Sequence, residues 1–258
     1  MIESLQVLAY GILHWSCQEV GIDTVGSTSM DTGSRERGGT PGAGRRRNPR
    51  GQGQRLREDL ISAASALVAE SADPRALSLR AVAKRVGIAA PSIYRHFPDV
   101  EHLKVAVVER CFTALAQART AAADGIADPA EALLARARAY CHFALDHPGH
   151  YQLMFGPDPE LPAALIYDSA QSPGRHAFHA LVESIRDCQR SGAVRAAGDP
   201  FQLAVTVWAL EHGLVSLRLS RPHFPWPPLD ETINLAVSQQ LDLTTGPAPR
   251  TSNADGRS

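Results

Sequence analysis

Residues 78–97, SLRAVAKRVGIAAPSIYRHF, constrain this chain more than any other stretch. Leu79, Val82, Ala83 and Val86 fall at i, i+3, i+4 and i+7, the period of a helix that buries one face. Ser78 stands just ahead of them as an N-cap. Gly87 ends the pattern, because glycine takes the left-handed conformation that closes a helix and turns the chain. A second short helix starts near Ala90, with Pro91 in its first turn, where no intrahelical N–H is lost. Ile93 and Phe97 anchor it on the first helix and leave Ser92, Tyr94, Arg95 and His96 pointing elsewhere. Two short helices joined by a tight glycine turn make a helix-turn-helix, whose second helix fits the DNA major groove.

The charges agree with that reading. Arg80, Lys84, Arg85 and Arg95 lie within the stretch and no Asp or Glu does; an acid-free face suits a polyanion. The bland alternative is a helical corner with solvated basic side chains. Residues 31–54 are rich in Gly, Arg and Pro with little to bury, which predicts disorder. Arg45, Arg46, Arg47, Arg50, Arg55 and Arg57 crowd the end of that segment. They read equally as a solubilising tail and as an arm that tracks phosphates or enters the minor groove.

Residues 1–29 are mildly apolar and lack a basic start, which argues against a signal peptide. Met30 is a second candidate start of translation, so residues 1–53 read as an extension. The chain has 258 residues and a net charge of −1, so the basic stretch is a local asymmetry. Cys17, Cys111, Cys141 and Cys188 are far apart and form no CxxC pair, as expected of reduced thiols in a cytoplasmic protein. No apolar run reaches membrane-spanning length, and no membrane partner is expected.

Around the helix-turn-helix, residues 57–70 bury Leu60, Ile61, Ala64, Leu67 and Val68, and Asp99 caps a further helix carrying Leu103, Val107, Val108, Phe112 and Leu115. The block 54–115 resembles the N-terminal DNA-binding domain of TetR-family transcriptional regulators, most specifically in the run Tyr94-Arg95-His96-Phe97. The resemblance implies a three-helix DNA-binding domain with Ser78, Arg80, Ala90, Pro91, Ser92, Tyr94, Arg95 and His96 at the double helix. Tyr94 and Ser92 then position the protein on phosphates, and Arg95 or His96 reaches base edges. Family members often carry a phosphate-binding lysine near the start of the next helix. Here Val100 takes that place, and Lys104, one turn on, is the candidate substitute.

After Gly125 the periodicity is helical throughout. Asp128-Pro129-Ala130-Glu131 opens one helix, YQLMFGPDP follows, and a long helical region spans residues 161–191 with an interruption at 172–174. Asp199-Pro200 opens a helix that is apolar nearly all round, so it is expected to be buried on several sides, in a core or at a subunit contact. A last helix covers 229–241, and a disordered tail begins at 244. HPGHYQLMFGPDP and VWALEHGLVSLRL resemble the C-terminal domain of TetR-family members with a Trp-His-Gly signature, here Trp208, His212 and Gly213. The resemblance implies an all-helical ligand-binding and dimerisation domain over 116–243, with the last two helices at the dimer contact.

Tyr140, Phe143, Met154, Phe155, Trp208 and His212 are the candidates for an apolar effector pocket, and each reads equally well as plain core. His142, His147, His150, His176, His179, Glu211 and His212 raise the question of an enzyme or a metal site. A metal needs three or four converging ligands, and the chain holds no nucleophile elbow, phosphate loop or dinucleotide fingerprint. No catalytic residue, cofactor or metal is expected. The expectation is an all-α homodimer that binds double-stranded DNA and a small-molecule effector, most often a repressor in this family. An activator, a ligand-independent regulator and a small helical enzyme with an incidental basic corner are the alternatives.

Overall fold

A computed structural model describes residues 52–71, 77–156 and 172–244. The arginines Arg45, Arg46, Arg47 and Arg50, the apolar start with Cys17, residues 157–171 and the tail from 245 lie outside the described residues. Helix α1 (Gln52–Ser71) begins five residues before Arg57, inside the segment expected to be disordered, so that expectation fails for residues 52–54. Its buried face is Leu60, Ile61, Ala64 and Val68.

Helix α2 (Leu79–Val86) has the caps its sequence announces. The Ser78 hydroxyl accepts from the Ala81 N–H at 3.3 Å, and Gly87 sits at φ +78°, in the left-handed region. Helix α3 (Ala90–Ile93) is a single turn. The chain then winds on to Phe97, whose N–H, like that of His96, donates to the Ile93 carbonyl, at 3.0 and 2.9 Å. The recognition element is thus one helical turn plus a tight continuation, shorter than the helix expected through Phe97. Ile93 and Phe97 are buried beneath it.

Helix α4 (Val100–Ala122) follows at once, with Asp99 accepting from the His102 N–H at 2.8 Å. It packs on α1, and Arg110 ties the two by donating to Ser62 at 2.7 Å and Glu58 at 2.6 Å. Helix α5 (Pro129–Asp146) opens on the expected Asp128 cap and is the central helix of the second half. It touches α4 and, among the described residues, each helix that comes after it: α6 (Pro148–Phe155), α7 (Pro173–Ser191), α8 (Pro200–Ser220) and α9 (Leu229–Leu241). The predicted interruption at 172–174 is the start of α7; the part of that region before it lies outside the described residues.

Asp199 precedes α8 but makes no side-chain cap bond. Helix α8 is covered on one side only within the chain, by Leu203, Ala204, Val207, Glu211 and Val215, and its opposite side, with Ala209, Gly213 and the half-exposed Leu217, faces out. Thr244 is not tail: its N–H donates to the Ala193 carbonyl at 2.9 Å, beside an antiparallel bridge of Val194 and Leu243. That bridge is the one extended contact in an otherwise all-helical fold among the described residues.

One continuous apolar core runs from Leu60 in α1 to Leu241 in α9. Cys111, Cys141 and Cys188 are buried free thiols, and burial pushes Cys111 up to about 12 and Cys188 up to about 11, so they are unreactive core groups. Among the described residues no helix is long and apolar enough to cross a membrane.

The Gly87 turn is a direct test of this construction. A Cβ at Gly87 would touch nothing, so Gly87→Ala loses only the left-handed preference. It should destabilise the fold by about 1 kcal/mol in chemical denaturation.

Candidate functional site

The recognition turn presents its polar residues as the spacing requires. Arg80, Pro91 and Arg95 are exposed, Ala90, Ser92 and His96 are half-buried, and Tyr94 is 59% exposed although it is a large aromatic. Ser78 is exposed too, with its hydroxyl engaged in the α2 cap. His96 lines a surface groove with Arg57, His102 and Glu109, of about 200 Å3. The Arg57 guanidinium lies 5.1 Å over the Phe97 ring and closes that groove on the α1 side.

Not every basic residue of the stretch is available to a partner. Arg85 grips Glu70 of α1 in a bidentate pair at 2.8 and 2.5 Å, which lowers the Glu70 carboxyl below its ordinary value. Arg80, Lys84 and Arg95 form no ion pair among the described residues and remain as the cationic face. Lys104 is the clear correction. It is 1% exposed, on the buried side of α4, and its ammonium cannot meet a phosphate from there. A position one turn after Val100 falls close to the same helix face, but that face turns inward within the turn.

The second candidate region lies between α4, α5, α6, α7 and α8. Phe112, Leu115 and Arg119 of α4, Tyr140 of α5, Phe155 of α6, Phe178 of α7 and Trp208 of α8 surround a cavity of about 20 Å3. Of the six residues expected there, Tyr140, Phe155 and Trp208 line it. His212 stands behind them, with its ring centroid 4.5 Å from that of Phe155 and 5.0 Å from that of Trp208. Phe143 does not belong to the lining; it is half-buried and stacks on His147 at 4.7 Å. Met154 is buried core outside the lining.

His212 is held by two tyrosines. Its Nε2 is 3.0 Å from the Tyr140 hydroxyl and its Nδ1 is 2.7 Å from the Tyr151 hydroxyl, which also meets Ser216 at 3.2 Å. Burial lowers His212 to about 3, so the imidazole is neutral and has one donor and one acceptor nitrogen. One tyrosine therefore donates to it and the other accepts from it. Next to it, Glu211 is fully buried, neither carboxyl oxygen has a hydrogen-bond partner among the described residues, and burial pushes the acid up to about 7 against the opposing pull of Arg119.

Sequence reasoning missed Phe112, Leu115, Arg119 and Phe178 as lining residues, and it missed Glu211 as a core acid. A signal was present. Arg119 follows Phe112 and Leu115 at i+7 and i+4, on the apolar face of its helix, and Glu211 shares a face with Ala204, Val207 and Val215. A charged residue in phase with an apolar stripe is rarely there for solubility.

Of the seven histidine and acid positions weighed for a metal, His147 and His150 have ring centroids 5.9 Å apart and Glu211 adjoins His212, without a third ligand beside either pair among the described residues. His142 pairs with Asp230 at 2.7 Å, and His150 bonds the Ser65 hydroxyl of α1 at 2.9 Å. Among the described residues no three His, Cys, Asp or Glu side chains are arranged to hold a metal ion.

Glu211 links this region to pH. Its folded state keeps a proton up to about pH 7, whereas the unfolded carboxyl ionises near its ordinary 4.5. Stability from this group is full below 4.5 and is lost as pH rises to about 7, by roughly 3 kcal/mol. Glu211→Gln mimics the protonated acid, so it should stabilise the protein by that amount at pH 8 and by little at pH 5, in urea midpoints.

Two family models match the chain. "Bacterial regulatory proteins, tetR family" matches residues 60–107, and "Tetracyclin repressor-like, C-terminal domain" matches residues 133–239. Among solved structures, a Rhodococcus sp. RHA1 protein of unknown function is 26% identical with a TM-score of 0.62, covering 76% of this chain and 98% of its own. The TetR-family regulator PfmR of Thermus thermophilus is 19% identical at a TM-score of 0.54, over 72% of this chain and 99% of its own. RolR in complex with resorcinol is 18% identical at 0.55, over 74% and 89%. With a helix-turn-helix at one end and a helical body at the other, matched to the same family in both places, the chain belongs to the TetR family of transcriptional regulators.

Proposed function

We propose that this protein is a ligand-responsive repressor that binds a palindromic operator as a homodimer. The observation that carries the reading is the course of α4. The helix, capped by Asp99, starts at Val100 directly behind the recognition turn, and its later residues Phe112, Leu115 and Arg119 form one wall of the aromatic cavity. Whatever occupies the cavity pushes on the helix that carries the DNA-reading element. Helix α6 offers a parallel route. Its Tyr151 and Phe155 contact His212 and the cavity, and the adjacent His150 bonds Ser65 of α1.

The cavity volume supports a switch. Space for about one water is far below the several hundred Å3 of a pocket that encloses an organic ligand. A small molecule therefore prefers a conformation other than this one, and that difference in affinity is what shifts a population. RolR, which shares the fold, takes the small aromatic compound resorcinol, in keeping with such a role for the ring-lined cavity here.

At the DNA, Tyr94 and Ser92 position the protein on phosphates, Arg80 and Arg95 supply charge, and Arg95 or His96 reads base edges, while Ala90 and Pro91 allow close approach. Dimerisation uses the outward side of α8 with α9, where Leu217 is 52% and Leu235 60% exposed and Ala209 and Gly213 leave room for a facing helix. A two-fold axis there presents two recognition turns to two half-sites.

The reading is tested on the DNA upstream of the protein's own gene, in gel shifts at two salt concentrations. Binding should weaken steeply with salt, and Tyr94→Ala should lower affinity by roughly 1–3 kcal/mol while dimerisation survives; unchanged binding would count against the assignment. Leu217→Glu combined with Leu235→Glu should convert the dimer to monomer in analytical ultracentrifugation, since each leucine contributes roughly 1.5–3 kcal/mol of burial and occurs twice across a two-fold axis. A double variant that remains dimeric would place the interface elsewhere.

A further inference from the structure

We propose that the effector is an aromatic carboxylate whose anionic group is received by Arg119. The inference rests on the ligand-responsive reading and names the chemistry of its ligand. Arg119 is the one charged residue in the described lining of the cavity. It is 9% exposed and makes no hydrogen bond or ion pair among the described residues. A guanidinium in the last turn of a helix often serves only to face that helix's carbonyl end. Such residues point to water, however, and Arg119 shares the buried side of α4 with Phe112 and Leu115.

The surroundings select the ligand. Phe112, Tyr140, Phe155, Phe178 and Trp208 supply aromatic faces and edges for a flat ring, and the guanidinium fork matches a carboxylate in two parallel hydrogen bonds. Glu211 is an acid that acts on Arg119 electrostatically, but its oxygens bond nothing among the described residues and it lies outside the lining. A cationic ligand entering the cavity would face Arg119 rather than Glu211, so an anion is favoured. Room for the ring comes from rotation of Phe155 and Trp208, which pack on each other edge-to-face at 6.4 Å.

The test compares matched pairs: benzoate, cinnamate and 2-naphthoate, each against its own carboxamide, by calorimetry on the full-length protein. At least one acid should bind roughly 10- to 100-fold tighter than its amide, the range of a charge-assisted hydrogen bond. Arg119→Met should erase that preference, bringing each acid's affinity down to that of its amide. Equal binding of acid and amide, an undiminished preference in Arg119→Met, or no binding by any of the three acids would overturn the proposal. Should Arg119→Met not fold, the wild-type acid-to-amide ratio decides alone. DNA release is read separately. Failure to bind any duplex DNA would sink the regulator reading, whereas the acid-to-amide ratio answers for the cavity.

Discussion

One continuous helix, Val100–Ala122, belongs to both halves of this molecule, and its burial on two fronts is the constraint on which the rest depends. Near its start Leu103, Val107 and Val108 complete the core of the DNA-binding domain; further along Cys111, Phe112 and Leu115 belong to the core of the second half. A helix hydrogen-bonded along its whole length does not bend cheaply at one point. Displacement at one end is therefore delivered to the other as tilt or translation. Because the apolar core is unbroken from α1 to α9, no soft seam separates the two halves to absorb that movement.

The second contact between the halves has a different character. Where α4 is joined by apolar packing, α6 meets α1 through a polar pair, His150 with Ser65, whose carbonyl also lies 3.0 Å from the same ring nitrogen. Burial lowers His150 below its ordinary value, which keeps it neutral and able to serve as a hydrogen-bonding strut without a charge to solvate. Packing tolerates sliding, while a directional hydrogen bond sets a register. Together the two contacts define both how far the halves can move and where they return.

The helix-turn-helix was legible because its determinants are local. The Ser78 cap, the left-handed Gly87, the Asp99 cap and the buried pair Ile93 and Phe97 each depend on residues within one or two turns. The cavity was only half legible. Tyr140, Phe155 and Trp208 come together from three helices far apart in sequence, and nothing in their own neighbourhoods distinguishes them from Phe143 or Met154, which lie elsewhere. Lys104 failed for a different reason. It stands four and seven residues before Val108 and Cys111, in phase with the buried stripe of α4, and the expected phosphate contact ignored that phase. The outward side of α8 was hard to read because an apolar surface that faces out looks, in the sequence of one chain, like core.

Glu211, buried, and His212, half-buried, are neighbours in sequence and are pushed in opposite directions by loss of water: the acid up to about 7, the imidazole down to about 3. In the unfolded chain between pH 4.5 and 6.5 the carboxyl is bare and the imidazole carries the proton. In the folded chain over the same interval the carboxyl carries it and the imidazole is bare. Each state holds one proton and no net charge between the two groups. Folding thus passes a proton from residue 212 to residue 211 without net exchange with solvent. Either group alone would make the fold steeply sensitive to acidity in that interval, and as a pair their slopes cancel. The two side chains can therefore sit side by side in the fold without adding, as a pair, a pH dependence of their own in that interval.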